Sequence, residues 1–274
     1  MGPRQIPTQP FLGGALPRPG KALTALMVGL LAIWVMFAVG INWGGGGEDI
    51  FGLLAGNTAK IVRHGQVWRL LTAPFIHLPS GDGAVGHIVT TLLGLYFLAP
   101  SLEKKWGGKK LLAFVYGAAL TGFVLQMLVE LVMPASMAGR TTNPLWFGAV
   151  GAVEAVAIAW ALSFRGQQVM LMFVLPVSST VLVVFVVGMS VLRLLASKST
   201  PEGLFSPFGA MLFGWLVGGG DPAPIRRWWL QRKLRNVQAQ KRTVARAGAP
   251  KLRVIEGARA NRDSDNPPDK RWLN

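Results

Sequence analysis

Twenty consecutive residues from Ala22 to Ile41 pass without a charge, and further apolar runs of similar character recur along the chain. A helix needs about 20 predominantly apolar residues to cross roughly 30 Å of hydrocarbon, and soluble core helices rarely sustain such a run. The remaining candidate spans are His87 to Pro100, Leu111 to Val132, Leu145 to Ser163, Val169 to Leu192 and Leu204 to Gly218. Two of these are short, and polar ends or local bilayer thinning can accommodate a few Å of mismatch. With 51% hydrophobic residues, 15% charged residues and a mean hydropathy of +0.41, the composition fits a bundle in lipid and excludes an ordinary soluble domain of 274 residues. The expected class is therefore all-α: a polytopic bundle of six transmembrane helices.

The segments between the spans carry the remaining organisation. Residues 1–20 are rich in Pro and Gly and read as a flexible tail; 21–220 form the membrane domain; 221–274 form a basic tail. The apolar run starting at Ala22 is too long for the core of a cleavable signal peptide, so it is expected to be retained as the first span. Residues 43–85 mix Trp, Phe and Ile with Asp, Arg, His and Gln, the composition of a structured, partly embedded first loop. Lys104, Lys105, Lys109 and Lys110 form the densest positive cluster between any two spans, which puts that loop on the cytoplasmic side. The connection after the third span holds only Arg140. With six spans, both termini are then cytoplasmic, and a bacterial plasma (inner) membrane is the expected location.

The formal charge of +16 lies in short loops and in the C-terminal tail, so anionic lipid headgroups are the nearer partner and nucleic acid is not expected. The stretch Ile225 to Arg246, with paired tryptophans among Arg and Lys, has the composition of a helix lying on a negatively charged membrane face, the alternative being a solvated basic tail. From about Gly248 onward the composition predicts disorder. Cysteine is absent, which removes disulfides, thiolate metal sites and a cysteine nucleophile. His64, His77 and His87 lack metal-ligand spacing, and Gly44 to Gly47 lacks the Lys and strand–helix context of a phosphate loop, so no metal or cofactor is expected.

Four segments carry chemistry. GQVWRLLTAPFIH, Gly65 to His77, holds a Trp-Arg pair, Trp68 and Arg69, in which the ring suits headgroup depth and the guanidinium can satisfy carbonyls of an irregular loop. In the next span His87 and Thr91 lie one helical turn apart, and Glu103 and Gly107 follow. NPLWFGAVGAVEA, Asn143 to Ala155, contains Gly148 and Gly151; SPFGAMLFGWLVG, Ser206 to Gly218, contains Gly209, Gly214 and Gly218. In this order and on these spans the motifs resemble those of the rhomboid family of intramembrane serine proteases: its first-loop Trp-Arg, its HxxxN, its ExxxG-like turn, its GxSG and its AHxxG.

The resemblance implies a six-helix rhomboid fold and a serine–histidine site, but this chain departs from the pattern at both catalytic positions. Val150 stands at the serine position and Pro207 at the histidine position, and Thr91 replaces the asparagine of the oxyanion region beside His87. An alkyl group is no nucleophile and proline neither accepts nor donates a proton. The glycine series Gly148, Gly151, Gly209, Gly214 and Gly218 is expected to bring helices four and six close together.

Among the polar residues, Glu154 sits one turn after Val150 near mid-membrane. Such a group is a candidate for the vestigial cavity, or for a bond to Thr91 or His87 that ties helix two to helix four. Gln126 and Glu130 form a second turn-spaced pair, with Glu130 placed to meet water or the first loop. The expected function is a rhomboid-like pseudoprotease that binds transmembrane client proteins without cleaving them. The alternatives are a working intramembrane peptidase using Thr90, Thr91 or Ser206, and a small transporter or lipid-perturbing protein using Glu154 and Glu130.

Overall fold

In the computed structural model, residues 17–134, 144–171 and 175–246 are described. The expected N-terminal tail up to residue 16, Arg140 and the C-terminal stretch from residue 247 lie outside them. The chain divides into one unit up to Arg227 and a second from Trp228.

The first unit is a helical bundle. Helix α1 covers Lys21–Asn42. Three short helices, α2 (Glu48–Leu54), α3 (Thr58–His64) and α4 (Trp68–Thr72), and a 3-10 turn at Ala73–Phe75 fold the first loop. The spans α5 (Ala84–Trp106), α6 (Gly108–Val132), α7 (Val150–Ser163), α8 (Ser179–Ala196) and α9 (Ser206–Phe213, continued by a π-helical turn to Gly218) complete it. Four of the six spans, α1, α5, α6 and α8, are long and apolar enough to cross a membrane on their own; α7 and α9 are shorter apolar helices.

The boundaries depart from the sequence reading where a proline or an apolar run misleads. The second span runs through Pro100 and on past Lys105, because Pro in a helix costs one bond and bends the chain without ending it when packing holds both sides. The fifth span starts ten residues later than its hydropathy indicates. Gln168–Leu171 and Leu175–Ser178 instead pair as an antiparallel hairpin, β1 and β2, so the bundle is not purely helical. An apolar run of this length is equally compatible with strand and helix.

Helix α7 is the axis of the bundle. Every residue from Val150 to Ala161 is buried, in keeping with a sequence that is apolar all round and rich in Ala. It contacts α5, α6, α8 and α9. At 14 residues it spans about 21 Å, short of the hydrocarbon thickness. The chain before it, Pro144 to Ala149, is irregular, and neighbours satisfy its backbone: Trp146 pairs with Gly56 in an antiparallel bridge, the Phe147 N–H donates to Pro201 O, and the Gly148 N–H donates to Ala73 O. Irregular backbone is tolerated at membrane depth only when it is buried in protein in this way.

Two buried polar residues fasten the periphery. Arg69, 2% exposed, donates from Nη1 to Gly52 O and, at 2.8 Å, to Ala55 O, and from Nε to Gln66 Oε1 at 2.6 Å, collecting the end of α2 and the turn before α4. Glu103 accepts from the backbone N–H of Gly20 (2.7 Å), Ala22 (3.2 Å) and Leu23 (3.3 Å), so a carboxylate on α5 caps the N-terminus of α1.

The glycine series divides its work differently from the expectation of a single α7–α9 contact. A Cβ at Gly214 would lie 2.6 Å from Ala155 O, and one at Gly151 3.4 Å from Ala210 Cβ, so these two do join α7 and α9. Gly209 instead abuts α6, where a Cβ would lie 2.8 Å from Thr121 O, and Gly218 sits between Ala159 of α7 and Phe114 of α6. Helix α10 covers Pro224–Arg246, and its part in the second unit carries exposed Trp228, Trp229 and Leu234, with Arg232 and Lys233 over the two indole rings at 5.4 and 5.3 Å.

Candidate functional site

The two catalytic positions that depart from the motif lie on helices that pack together, α7 and α9. Val150 opens α7 and Pro207 lies in the first turn of α9; a Cβ at Gly151 would be 3.4 Å from Ser206 Oγ and 3.7 Å from Pro207 Cα. Both side chains are buried. One position presents an alkyl group and the other a pyrrolidine ring, so neither a nucleophilic atom nor an imidazole is contributed by these two residues.

Above Val150 lies a cavity of about 410 Å³, bounded by α5, the start of α7, the end of α8 and the turn before α9. His87, Thr90, Val150, Arg193 and Glu202 line it, with Asp82 at its rim. Its chemistry centres on a buried pair that the motif reading did not contain. His87 Nε2 is 2.6 Å from Glu202 Oε1, and His87 Nδ1 accepts from the Leu78 N–H at 3.3 Å. The second bond settles the tautomer: Nδ1 is the acceptor, so the proton sits on Nε2 and points at the carboxylate. Gly148, with φ of 114°, makes room for the pair; a Cβ there would lie 2.8 Å from His87 Cε1 and 2.9 Å from Glu202 Oε1. Its role is thus clearance for this pair, not helix packing.

His77 is completely buried, with its ring centroid 5.1 Å from that of His87 and neither nitrogen hydrogen-bonded among the described residues. Burial, reinforced by the neighbouring His87, lowers its pKa from 6.5 to about 4. It is therefore a neutral ring near pH 7.

The other predicted residues separate. Thr91 is fully buried and its hydroxyl donates back to His87 O at 3.2 Å, while Thr90 faces the cavity. Glu154 does not line the cavity and meets neither Thr91 nor His87. Its Oε1 accepts from Ser190 Oγ at 3.1 Å and lies 3.9 Å from Arg193 Nη1, so it ties α7 to α8. Gln126 Oε1 accepts from the Phe205 N–H and Gln126 Nε2 donates to Glu130, whose other oxygen accepts from Thr58. That pair links α6 to the first loop and to the turn before α9. Trp68 stays partly exposed at the loop surface while Arg69 turns inward. Among the described residues no cluster of three His, Cys, Asp or Glu side chains is arranged to hold a metal.

Glu202 is the functional residue that sequence reasoning missed. Its partner is 115 residues away, and the turn Thr200 to Gly203 belongs to no motif. The one signal was an acid in a segment otherwise apolar or small.

Fold and site together define a polytopic helical membrane protein with an embedded first loop and a cavity at the start of its fourth span. The profile of the rhomboid domain matches residues 64–220, and the chain belongs to the rhomboid family. It is similar to RHOMBOID-like protein 12, mitochondrial, of Arabidopsis thaliana, at 28% identity over 52% of this chain and 43% of that protein. It also resembles Rhomboid-like protease 3 of Toxoplasma gondii (30% identity; 39% of this chain, 38% of that protein). A third relative is Rhomboid protease GluP of Bacillus subtilis (strain 168), at 23% identity over 51% of this chain and 26% of that protein. The chain spans less than half the length of each of these relatives.

Proposed function

We propose that this protein is a rhomboid pseudoprotease that binds transmembrane segments of client proteins without cleaving them. The observation that carries the reading is the identity of two residues, Val150 at the start of α7 and Pro207 in the first turn of α9, where the family's chemistry would need a hydroxyl and an imidazole. All three histidines lie at or before residue 87, and His87 is committed to Glu202 and to the Leu78 N–H. The cavity at Val150 has the polar atoms to engage client backbone, and at the serine position it presents an alkyl side chain. We further propose that both termini are cytoplasmic, following the lysine cluster between α5 and α6 and the basic tail, that the host membrane is a bacterial plasma membrane, and that α10 meets lipid and not nucleic acid.

Because the chain has no cysteine, Val150→Cys provides a unique handle inside the cavity. Crosslinking from that position in native membranes should capture a membrane-protein helix; recovery of lipid adducts alone would refute client binding. The competing reading is a working peptidase, favoured by the names of two relatives, which call them proteases. Purified protein that cleaved a helical reporter and lost that activity on Ser206→Ala or Thr91→Ala would establish it and overturn ours.

A further inference from the structure

A second cavity, of about 270 Å³, lies between α1, α6 and the 3-10 turn of the first loop. It is lined by small and apolar side chains, among them Ala22, Ala25, Leu30, Val115 and Phe75, with Tyr116 as its polar member. The Tyr116 hydroxyl is directed away to Leu71 O at 3.0 Å and its ring stacks on Phe75, so the wall it presents is aromatic. Ala25 is exposed and Phe75 is 38% exposed, which leaves the groove open sideways, toward the space that lipid occupies around a spanning bundle. From Ala22 to Leu30 along α1 it runs about 12 Å, most of the roughly 15 Å of hydrocarbon in one leaflet.

One end of this groove is strongly basic. A Cβ at Gly108 would lie 2.5 Å from Ala22 Cβ, so the start of α6 sits against the start of α1, and Glu103 at the end of α5 caps the same place. Segments 17–23 and 100–112 together hold Arg18, Lys21, Lys104, Lys105, Lys109 and Lys110 against a single acid, Glu103. That carboxylate is buried and occupied by three backbone N–H groups of α1, whereas all six cations are exposed. The collar at the mouth therefore has an uncompensated positive charge at headgroup depth, continuous with an apolar slot of acyl-chain length.

We infer that this groove is a binding site for one anionic phospholipid, its acyl chain lying in the slot between α1 and α6 and its phosphate among the lysines at the mouth. Charge complementarity selects the anionic headgroup, and the slot distinguishes a seated lipid from the annular ones around any bundle. The site is separate from the cavity at Val150 and does not depend on what that cavity binds.

Native mass spectrometry of the full chain, released from nanodiscs of phosphatidylcholine containing phosphatidylglycerol, tests this. One phosphatidylglycerol should remain bound to the wild type. Lys109→Ser with Lys110→Ser removes exposed charge without touching the slot and should reduce the bound fraction about tenfold. Ala25→Phe fills the exposed wall of the slot with the collar intact and should reduce it by a similar factor. Equal retention of phosphatidylcholine would overturn the inference. So would loss with the lysine pair but full retention with Ala25→Phe, which would mean binding to the charged surface alone. Unchanged melting temperatures would show that the variants still fold.

Discussion

Replacing Glu103 tests how the bundle holds its first helix. Only Leu23, Leu30 and Phe37 of α1 are buried, so side-chain packing alone fixes this helix weakly, and its N-terminus depends on the carboxylate from α5. Three N–H donors converge on Glu103; the bond from Gly20 at 2.7 Å is strong and the two at 3.2 and 3.3 Å are weaker. A hydrogen bond to a charged group is worth about 1.5–3 kcal/mol, and an anion at a helix N-terminus adds about 0.3–1 kcal/mol. Water at the interface can satisfy part of what is lost. Glu103→Ala should therefore cost about 2–3 kcal/mol, or roughly 30- to 150-fold in the folding equilibrium. In detergent this corresponds to a melting temperature lower by about 5–10 °C for a protein of this size. Glu103→Gln keeps one accepting oxygen but loses the charge and turns an NH₂ toward a donor, so it should cost about half as much. Lys104→Ala, one residue on and exposed, is the control and should leave the melting temperature unchanged. A Glu103→Ala protein that melts with the wild type, or a Gln variant less stable than the Ala variant, would refute the capping account.

Arg69→Ala should destabilise the first loop by about 3–5 kcal/mol, because it strands the buried carbonyls of Gly52 and Ala55; Arg69→Lys should recover only part, having no planar fork, and limited proteolysis of residues 48–72 would read the difference. Gly56→Ala should be among the most damaging single methyl additions, costing at least about 3 kcal/mol. Its Cβ would lie 1.9 Å from the fully buried Trp146 ring, and an unchanged melting temperature would contradict the close approach. His77 has its pKa lowered to about 4, so the fold binds fewer protons than the unfolded chain in that range. Stability should be level above about pH 7 and fall by about 3 kcal/mol as the pH drops from 6.5 toward 4; a His77→Phe protein should lack that fall, which denaturation across pH would measure.

The positions of six helices were legible in the sequence because a spanning helix satisfies its own backbone and needs only a local apolar run. The first-loop Trp-Arg pair and the places of Val150 and Pro207 at the starts of two packed helices were legible through motif order. Local signals failed where partners are distant. The β1–β2 hairpin is as apolar as a span. Glu154 reaches Ser190 on α8 and not the helix-two residues, because the side it presents depends on how α7 is rotated among four neighbours. The His87–Glu202 pair is the sharpest case: each residue is unremarkable in its own segment, and only packing around α7, with a glycine at 148 to leave space, brings a carboxylate to an imidazole nitrogen. Hydrophobicity along the chain determined that this protein lives in a membrane, and motif order set Val150 and Pro207 against the serine and histidine of the family pattern. Tertiary structure decided which polar groups meet, since the energy of a buried hydrogen bond depends on distances between residues far apart in sequence.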